Sequence, residues 1–398
     1  MYLSRFGVKN YKCLGDIDIP LTPIHVLIGQ NDCGKTSLLE AMQAFCATSE
    51  DESKDAFPQP WSGRELVRHG SSETRIDLQG EWTRVTSDDS AMPYPNFQYG
   101  LSIDFPLRDH QTCLATNQWI EANGEKRPLS VKGRPSPTAY LEHWADDRKA
   151  VSNVLKPAHK YAFDAKQMAL PAVFDPARQF RLENDGFGLA TLLDDILGFD
   201  PKLFLDIQAE FCQLFSQFRS LRIKTEYGLE RRTQSDGLPQ SSVETGKGIY
   251  FEMQAGDTVR ARHASDGAIL FLGLLALAHL PDPPGLLLLE EPENGVYPMR
   301  LGQIIHLLKT MVSRTEGTRF PQIILTTHSP YVLSFFEPEE VTLLSREENK
   351  PDSPVRARPL RDAPNIRERL GNDFYLGELW YNLSEGDLFG DEPCQSGN

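Results

Sequence analysis

The chain has little cysteine, no long apolar run and no excess of positive charge, and each shortage removes a class of protein. Its six cysteines, Cys13, Cys33, Cys46, Cys113, Cys212 and Cys394, are scattered through 398 residues. None forms a CxxC pair or joins histidines at metal-ligand spacing, which argues against a zinc module and a disulfide scaffold. Reduced thiols in a cytoplasmic protein are the expectation. The longest apolar run, Gly267 to Leu280, falls short of the ~20 residues that span a bilayer. The opening MYLSRFGVKNYK lacks a signal-peptide core, so a soluble protein with no membrane partner is expected. Lys and Arg number 41 against 56 Asp and Glu, a formal charge of −15. That balance excludes a histone-like coat of positive charge and leaves a local basic groove open.

What is present is ample for folding. Hydrophobic residues make up 40% of the chain and aromatics 10%, enough to offset ordering entropy and exclude disorder as the main state. At about 100–200 residues per domain, two or three compact units are expected.

The first 45 residues read as strand, strand, strand, loop, helix. Ser4–Asn10 and Asp16–Leu21 alternate apolar and polar residues, whereas Ile24–Ile28 is almost wholly apolar, the pattern of a strand buried on both faces. A helix from Lys35 carries Leu38, Leu39 and Met42 at helical spacing. From Glu73 to Lys132 strands predominate, with Asn123-Gly124 as a hairpin signal. Residues 138–220 read as mainly helical, and the polar stretch Thr233–Gly248 as a mobile loop. Strand Ile249–Met253, helix Gly267–His279, strand Leu286–Leu289, helix Pro298–Val312 and strand Ile323–Thr326 follow. Val341–Leu344 reads as an edge strand, and Leu376–Trp380 as a segment packing back on the core. The expected division is an N-terminal lobe over 1–135, a mainly helical insertion over 136–248, a C-terminal lobe over 249–350 and an extension over 351–398.

Three segments carry chemistry. Gly29-Gln30-Asn31-Asp32-Cys33-Gly34-Lys35-Thr36 matches G-x-x-x-x-G-K-[ST], with an apolar strand before it and an amphipathic helix after it. Asn31, Asp32, Cys33, Gly34, Lys35, Thr36 and Ser37 are the phosphate-binding candidates. Glycines let backbone N–H groups wrap a phosphate, and the helix N-terminus adds donors and a positive dipole end. Lys35 would neutralise the β- and γ-phosphates of ATP, and the Thr36 hydroxyl would ligate Mg²⁺. Cys33 reads either as a thiol activated by the helix end or as a small residue that fits the loop. Leu286–Leu289 runs into Glu290 and Glu291; the first acid suits Mg²⁺ ligation and the second suits polarising an attacking water. Ile323–Thr327 ends in His328, where an imidazole could reach the γ-phosphate or position the water.

With these segments in place, the chain resembles the soluble branch of the ATP-binding-cassette superfamily: the SMC, RecF and OLD-type ATPases. RFGVKNYKCLGDIDIPL, HVLIGQNDCGKTSLLEAM, LLLLEEPENGVYPMRL and IILTTHSPYVL carry the resemblance, the last two looking especially like stand-alone OLD-type ATPases. It implies an α/β fold: a P-loop ABC/SMC-type ATPase head with an antiparallel β-subdomain and a helical insertion. By the same resemblance, Gly29–Ser37 is Walker A, Glu290 the metal-side Walker B acid, Glu291 the catalytic glutamate and His328 the switch histidine. Asn294–Tyr297 falls at the D-loop, with Tyr297 where relatives often carry His. Ser265, Asp266 and Gly267 stand where the family places its signature, there binding the γ-phosphate of ATP on another protomer; from sequence they read equally as a plain N-cap. Gln79 is the candidate Q-loop glutamine, and the Pro-Ala-Arg at 176–178 a candidate for presenting an arginine.

The resemblance implies ATP and Mg²⁺ as cofactors and a homodimer or higher homo-oligomer with composite ATP sites. Such a dimerisation switch would be the ATPase of an anti-phage defence system acting with a separate nuclease or effector. The remainder after His328 reads as too short for the nuclease domain of full-length OLD proteins. A RecF-like DNA-repair clamp and a non-hydrolysing ATP-stabilised scaffold are the alternatives. Arg219, Arg222, Lys224, Arg231 and Arg232 read either as a strip for DNA phosphates or as a solvated face shared with Glu226 and Glu230.

Overall fold

Ile24–Ile28 forms a strand with all five residues buried, and the sheet built around it organises the first of two units. The computed structural model describes residues 1–48, 57, 63–84, 96–105, 114–129, 158–174, 180–233, 239–313, 321–346, 353–364, 366–370, 375–382 and 388–389. The first unit comprises Met1–Lys160, Pro284–Glu291 and Val312–Asn398; the second comprises Tyr161–Pro283 and Pro292–Met311. Strands in chain order are β1 (Tyr2–Tyr11), β2 (Leu14–Pro20), β3 (Ile24–Ile28), β4 (Arg75–Thr83), β5 (Phe97–Asp104), β6 (Leu114–Ala122), β7 (Glu125–Pro128) and β8 (Ala158–Tyr161). They continue with β9 (Ala172–Val173), β10 (Phe218–Thr233), β11 (Pro239–Met253), β12 (Thr258–Arg260), β13 (Leu286–Glu290), β14 (Gln322–Thr327), β15 (Val341–Ser345) and β16 (Arg356–Pro359).

In the first unit, one sheet has the order β2-β1-β4-β5-β6-β7 and is antiparallel throughout. The expected β6–β7 hairpin turns at Asn123 (φ 52°) and Gly124 (φ 78°), both in the left-handed region that such two-residue turns require. The other sheet has the order β16-β15-β3-β14-β13-β8, with β15, β3, β14 and β13 mutually parallel. Val341–Leu344 was expected at an edge, but β15 lies between β3 and β16. The polar, proline-ended Arg356–Pro359 takes the edge instead, where an unpaired rim tolerates such residues.

Between the sheets runs the helix Lys35–Ala47. Its Leu38, Leu39, Met42 and Phe45 share one core with Phe6, Trp82 and Tyr99 from the antiparallel sheet and Leu286, Leu288 and Ile324 from the parallel one. Phe45 stacks on Tyr99 at 5.1 Å and on Trp82 at 5.9 Å between centroids. A Cβ at position 80 would lie 2.8 Å from Leu3 and Phe45 side-chain atoms, so glycine there makes the room.

In the second unit the helices Leu189–Phe199 and Pro201–Leu214 meet at Asp200, whose carboxylate accepts from Lys202 N–H and caps the latter helix. Phe211, Phe215, Phe218 and Phe251 stack into a core that Phe271, on the helix Asp266–Ala278, joins. Here the sequence expectation needs correcting. Residues 136–248 are not mainly helical among the described residues: β10 and β11 form a long hairpin, and most of Thr233–Gly248 belongs to it rather than to a loop. The hairpin's far part buries little apolar surface, with Tyr227 80% and Val243 64% exposed, so the apolar alternation that marks a strand is missing. Gly228 and Gly246 sit where the Ala172 backbone crosses closely, 2.9 Å and 2.3 Å from a hypothetical Cβ. The part of the expected helical region over 138–157 lies outside the described residues.

His25 on β3 supplies a stability test. It is fully buried, its ring nitrogens 3.1 Å from Thr22 Oγ1 and 2.9 Å from Thr342 Oγ1. Burial, reinforced by the Arg361 charge, pulls its pKa from 6.5 down to about 3. The folded protein therefore keeps the ring neutral while the unfolded chain protonates below 6.5, so this contribution is complete above pH 6.5 and is lost as pH falls toward 3. At pH 5 the loss amounts to about 2 kcal/mol. Urea unfolding at pH 7 and pH 5 should show that difference shrinking by this amount in His25→Gln.

Candidate nucleotide-binding site

Strand β3 hands the chain to the glycine-rich loop with no room for a side chain. Gly29 has φ 151°, and a Cβ there would fall 2.3 Å from the Leu344 carbonyl oxygen and 2.5 Å from Cys33 Sγ. Asp32 (φ 62°) and Gly34 (φ 85°) complete the left-handed bends that return the chain into the helix. Gly34 is the N-cap and offers no side-chain acceptor, so the first-turn N–H groups of this 13-residue helix have no cap.

The lysine of the motif is folded into this loop. Lys35 Nζ donates to the carbonyl oxygens of Gly29 and Gln30, each at 2.8 Å, and its residue is only 7% exposed. Among the described residues no carboxylate pairs with it. A buried ammonium held by carbonyl dipoles and the Cys33 sulfur, beside uncapped helix N–H groups, is a site that calls for an anion, and the polyphosphate of a nucleotide fits that demand. Asn31, Asp32 and Thr36 are exposed; Ser37 is half-buried and its Oγ accepts from Cys13 Sγ at 3.5 Å. Cys33 is buried, and that burial raises its thiol pKa, overriding the nearby Lys35. Burial of this kind favours a small residue that fits the loop over a thiol activated by the helix end.

The acidic strand end and the histidine strand end stand beside this loop. Register pairs Ile28 of β3 with Thr327 of β14, and Thr326 of β14 with Glu290 of β13. Glu291, the residue after β13, has φ 43°, a left-handed conformation rare for a non-glycine residue. Its N–H donates to Thr326 O at 3.1 Å and lies 3.3 Å from Thr326 Oγ1, which holds the bend. The bend aims its carboxylate at the neighbouring strand end, where Oε1 lies 3.0 Å from His328 Nδ1. His328 is exposed and Glu291 half-buried.

Glu290 is held differently, with Oε2 3.3 Å from Lys160 Nζ on β8. The same ammonium lies 3.6 Å from Glu40 Oε1, and Glu40 pairs in turn with Lys12. Lys160, Glu40 and Lys12 escaped the sequence reading. Glu40 follows Thr36 by four helical positions, a usable signal; Lys160 sits in a segment read as helical and carried none. A hydroxyl at the helix start, with a carboxylate at a strand end whose charge attracts a cation, is a donor set of hard oxygens suited to magnesium.

Ser265, Asp266 and Gly267 open the helix Asp266–Ala278 in the second unit. Ser265 is its N-cap, yet the hydroxyl makes no capping hydrogen bond, and Ser265 and Asp266 are exposed. Within that unit a Cβ on Gly267 would lie 3.6 Å from Gly295 O, so the segment Asn294–Tyr297 packs closely there; Tyr297 is 69% exposed.

Other expectations do not gather at a site. Gln79 is mid-strand on β4, its side chain lying across Gly7 of the antiparallel sheet, and is not in a loop. Among the described residues, the basic side chains of β10 are each engaged by a neighbour. Arg219 and Arg222 bond Glu252, whose pKa falls to about 2 through the Ser220 hydroxyl and Arg222, while Arg231 bonds Glu183 and Asp185. Lys224 lies over the Tyr250 ring at 4.8 Å. The solvated, ion-paired face is the reading these pairings bear out. The side chain of Arg232 and residues 176–178 lie outside the described residues.

A buried parallel strand, a glycine loop closing on an uncapped helix, and an acid pair and histidine on the adjacent strand ends define an ATPase head of the P-loop ABC/SMC class. Residues 24–334 match the family described as "AAA domain, putative AbiEii toxin, Type IV TA system", and the chain belongs to that family. It is 24% identical to a protein named OLD nuclease from Thermus scotoductus, across 94% of this chain and 68% of that protein. Among solved structures it is similar to an SMC head bound to the C-winged helix domain of ScpA, with a TM-score of 0.53 and 15% identity over 93% of this chain and 100% of the other. A further SMC head, from Thermotoga maritima, aligns with a TM-score of 0.45 and 13% identity over 90% of this chain and 99% of that one. The chain is thus an AAA-domain protein whose fold is that of an SMC head and whose sequence is similar to an OLD nuclease.

The loop's dependence on glycine can be measured. Gly29→Ala places a Cβ against a backbone carbonyl and should cost about 1–3 kcal/mol, seen as a lowered melting temperature. Gly70, with φ 77° and no neighbour within 4 Å, is the control: Gly70→Ala carries only the backbone strain and should lower the melting temperature less.

Proposed function

We propose that this protein hydrolyses ATP in a site completed by a second copy of itself, so that nucleotide binding closes a dimer and hydrolysis reopens it. The observation that carries the reading is the 3.0 Å approach of Glu291 Oε1 to His328 Nδ1 on strand ends next to the glycine loop. A carboxylate held by an imidazole in this way is set to accept a proton from water as that water attacks the γ-phosphate. Lys35 leaves the carbonyls of Gly29 and Gln30 for the β- and γ-phosphates, and backbone N–H groups of Asn31 to Ser37 wrap the phosphate chain. Thr36 and Glu290 would hold magnesium, which supplies charge neutralisation on the phosphates.

Ser265, Asp266 and Gly267 would act from the partner copy. The uncapped Ser265 hydroxyl and the free helix end beside it support that role, since both can turn to a γ-phosphate. The curated relative is named a nuclease and the family description names a toxin; both support a cytoplasmic ATPase of an anti-phage defence system that drives a separate nuclease or other effector. Direct DNA binding by the Arg219–Arg232 segment has less support, because Glu252, Glu183 and Asp185 already neutralise its charges.

Phosphate-release assays on variants test the reading. Glu291→Gln should cut turnover at least ~100-fold while leaving ATP binding intact and favouring the dimer. Lys35→Ala should lose ATP binding. A mixture of Lys35→Ala and Ser265→Arg protomers, each inactive alone, should regain part of the turnover through one complete site per heterodimer. Unchanged release in Glu291→Gln would remove Glu291 as the water-polarising group, and absence of complementation would remove the composite site.

A further inference from the structure

Four charged side chains, each at most 17% exposed, stand in line from the turn after β1 to the end of β13. In order they are Lys12, Glu40, Lys160 and Glu290, with signs that alternate and sum to zero. Lys160 is the pivot, its Nζ 3.3 Å from Glu290 Oε2 and 3.6 Å from Glu40 Oε1. Taking the assignment of Glu290 as the metal-side acid, we propose that Lys160 is a positioning residue that makes metal binding conditional on nucleotide.

The physics follows from what the ammonium occupies. Glu290 and Glu291 are consecutive carboxylates at a strand end, an arrangement that attracts a hard divalent cation without help. With Lys160 on Glu290, a bare metal ion must displace a cation already matched to that carboxylate in a poorly hydrated place, where charge pairs are strong and unpaired charges costly. A metal ion arriving on a triphosphate brings compensating negative charge, and the balance reverses. Glu40 gives Lys160 somewhere to stay. Since the ammonium already reaches Glu40, it can release Glu290 without becoming an unpaired buried charge. Glu40 is also one helical turn from Thr36 on the same face, so both partners of the latch are anchored on elements that carry the metal donors. Idle metal binding in the absence of nucleotide is thereby suppressed.

Mn²⁺, an oxygen-seeking ion visible by electron paramagnetic resonance, serves as the probe on the full chain. Titrated without nucleotide, wild type and Lys160→Arg should bind Mn²⁺ weakly, and Lys160→Met at least tenfold more tightly. The gain should vanish in Lys160→Met/Glu290→Gln. In a second readout, the Mn²⁺ concentration at which a fluorescent ATP analogue reaches half-maximal binding should fall in Lys160→Met and rise in Glu40→Gln, where, among the described residues, Glu290 is the one carboxylate left to Lys160. Circular dichroism checks folding, and Lys160→Gln replaces Lys160→Met should the latter not fold. Equal Mn²⁺ binding by Lys160→Met and wild type, or a gain that survives loss of the Glu290 charge, overturns the latch. Failure of the underlying assignment looks different: Glu290→Gln alone would then leave the effect of Mn²⁺ on ATP-analogue binding unchanged.

Discussion

The site exists because β3, close to the N-terminus, wedges into a parallel ladder whose other strands come from far later in the chain. Val341 to Leu343 line up against Val26 to Ile28 on one side, and Ile323 to Thr327 against Ile24 to Ile28 on the other. Parallel strands lie about 4.8 Å apart, so this register sets Gly29 level with His328, and Glu291 one strand beyond, across about 10 Å. A one-residue slip in either pairing would turn alternate side chains to the other face and separate the loop from the acids. Every residue of β3, β13 and β14 but the terminal Glu290 is buried, so a slip would also pull the polar His25, Gln322 and Thr326 away from the partners that satisfy them.

Around that frame, charge is arranged to be incomplete at one place and balanced at the next. Lys35 is buried against two carbonyl oxygens and the Cys33 sulfur with no carboxylate partner among the described residues, whereas Glu290 is matched within a neutral line of four side chains. The first arrangement suits the loop to an anion. The second keeps a carboxylate occupied until charge arrives to rearrange it. Strain adds direction: Glu291 in the left-handed region, tied to Thr326 by its N–H, points at His328 rather than along its own strand.

Much of the fold was legible from pattern. Ile24–Ile28, Leu286–Leu289 and Ile323–Thr326 read as buried strands because they are almost wholly apolar, and the glycine-lysine motif reads as a phosphate loop because strand and helix flank it. The β10–β11 hairpin was illegible for the opposite reason: with both faces largely wet, its residues lack the alternation that a half-buried strand imposes. Likewise Val341–Leu344 looked like an edge, since a sequence does not say that β16 will add outside it.

By itself, the sequence singled out the candidate segments for phosphate, acid and imidazole chemistry, because those depend on local spacing and on the apolar strand beside each. Only the tertiary structure decided that Glu291 meets His328, that Lys160 bridges Glu40 and Glu290, and that Arg219, Arg222 and Arg231 are already paired. Those facts join residues far apart in the chain, and a charge's role is set by the partner that folding brings within 4 Å of it.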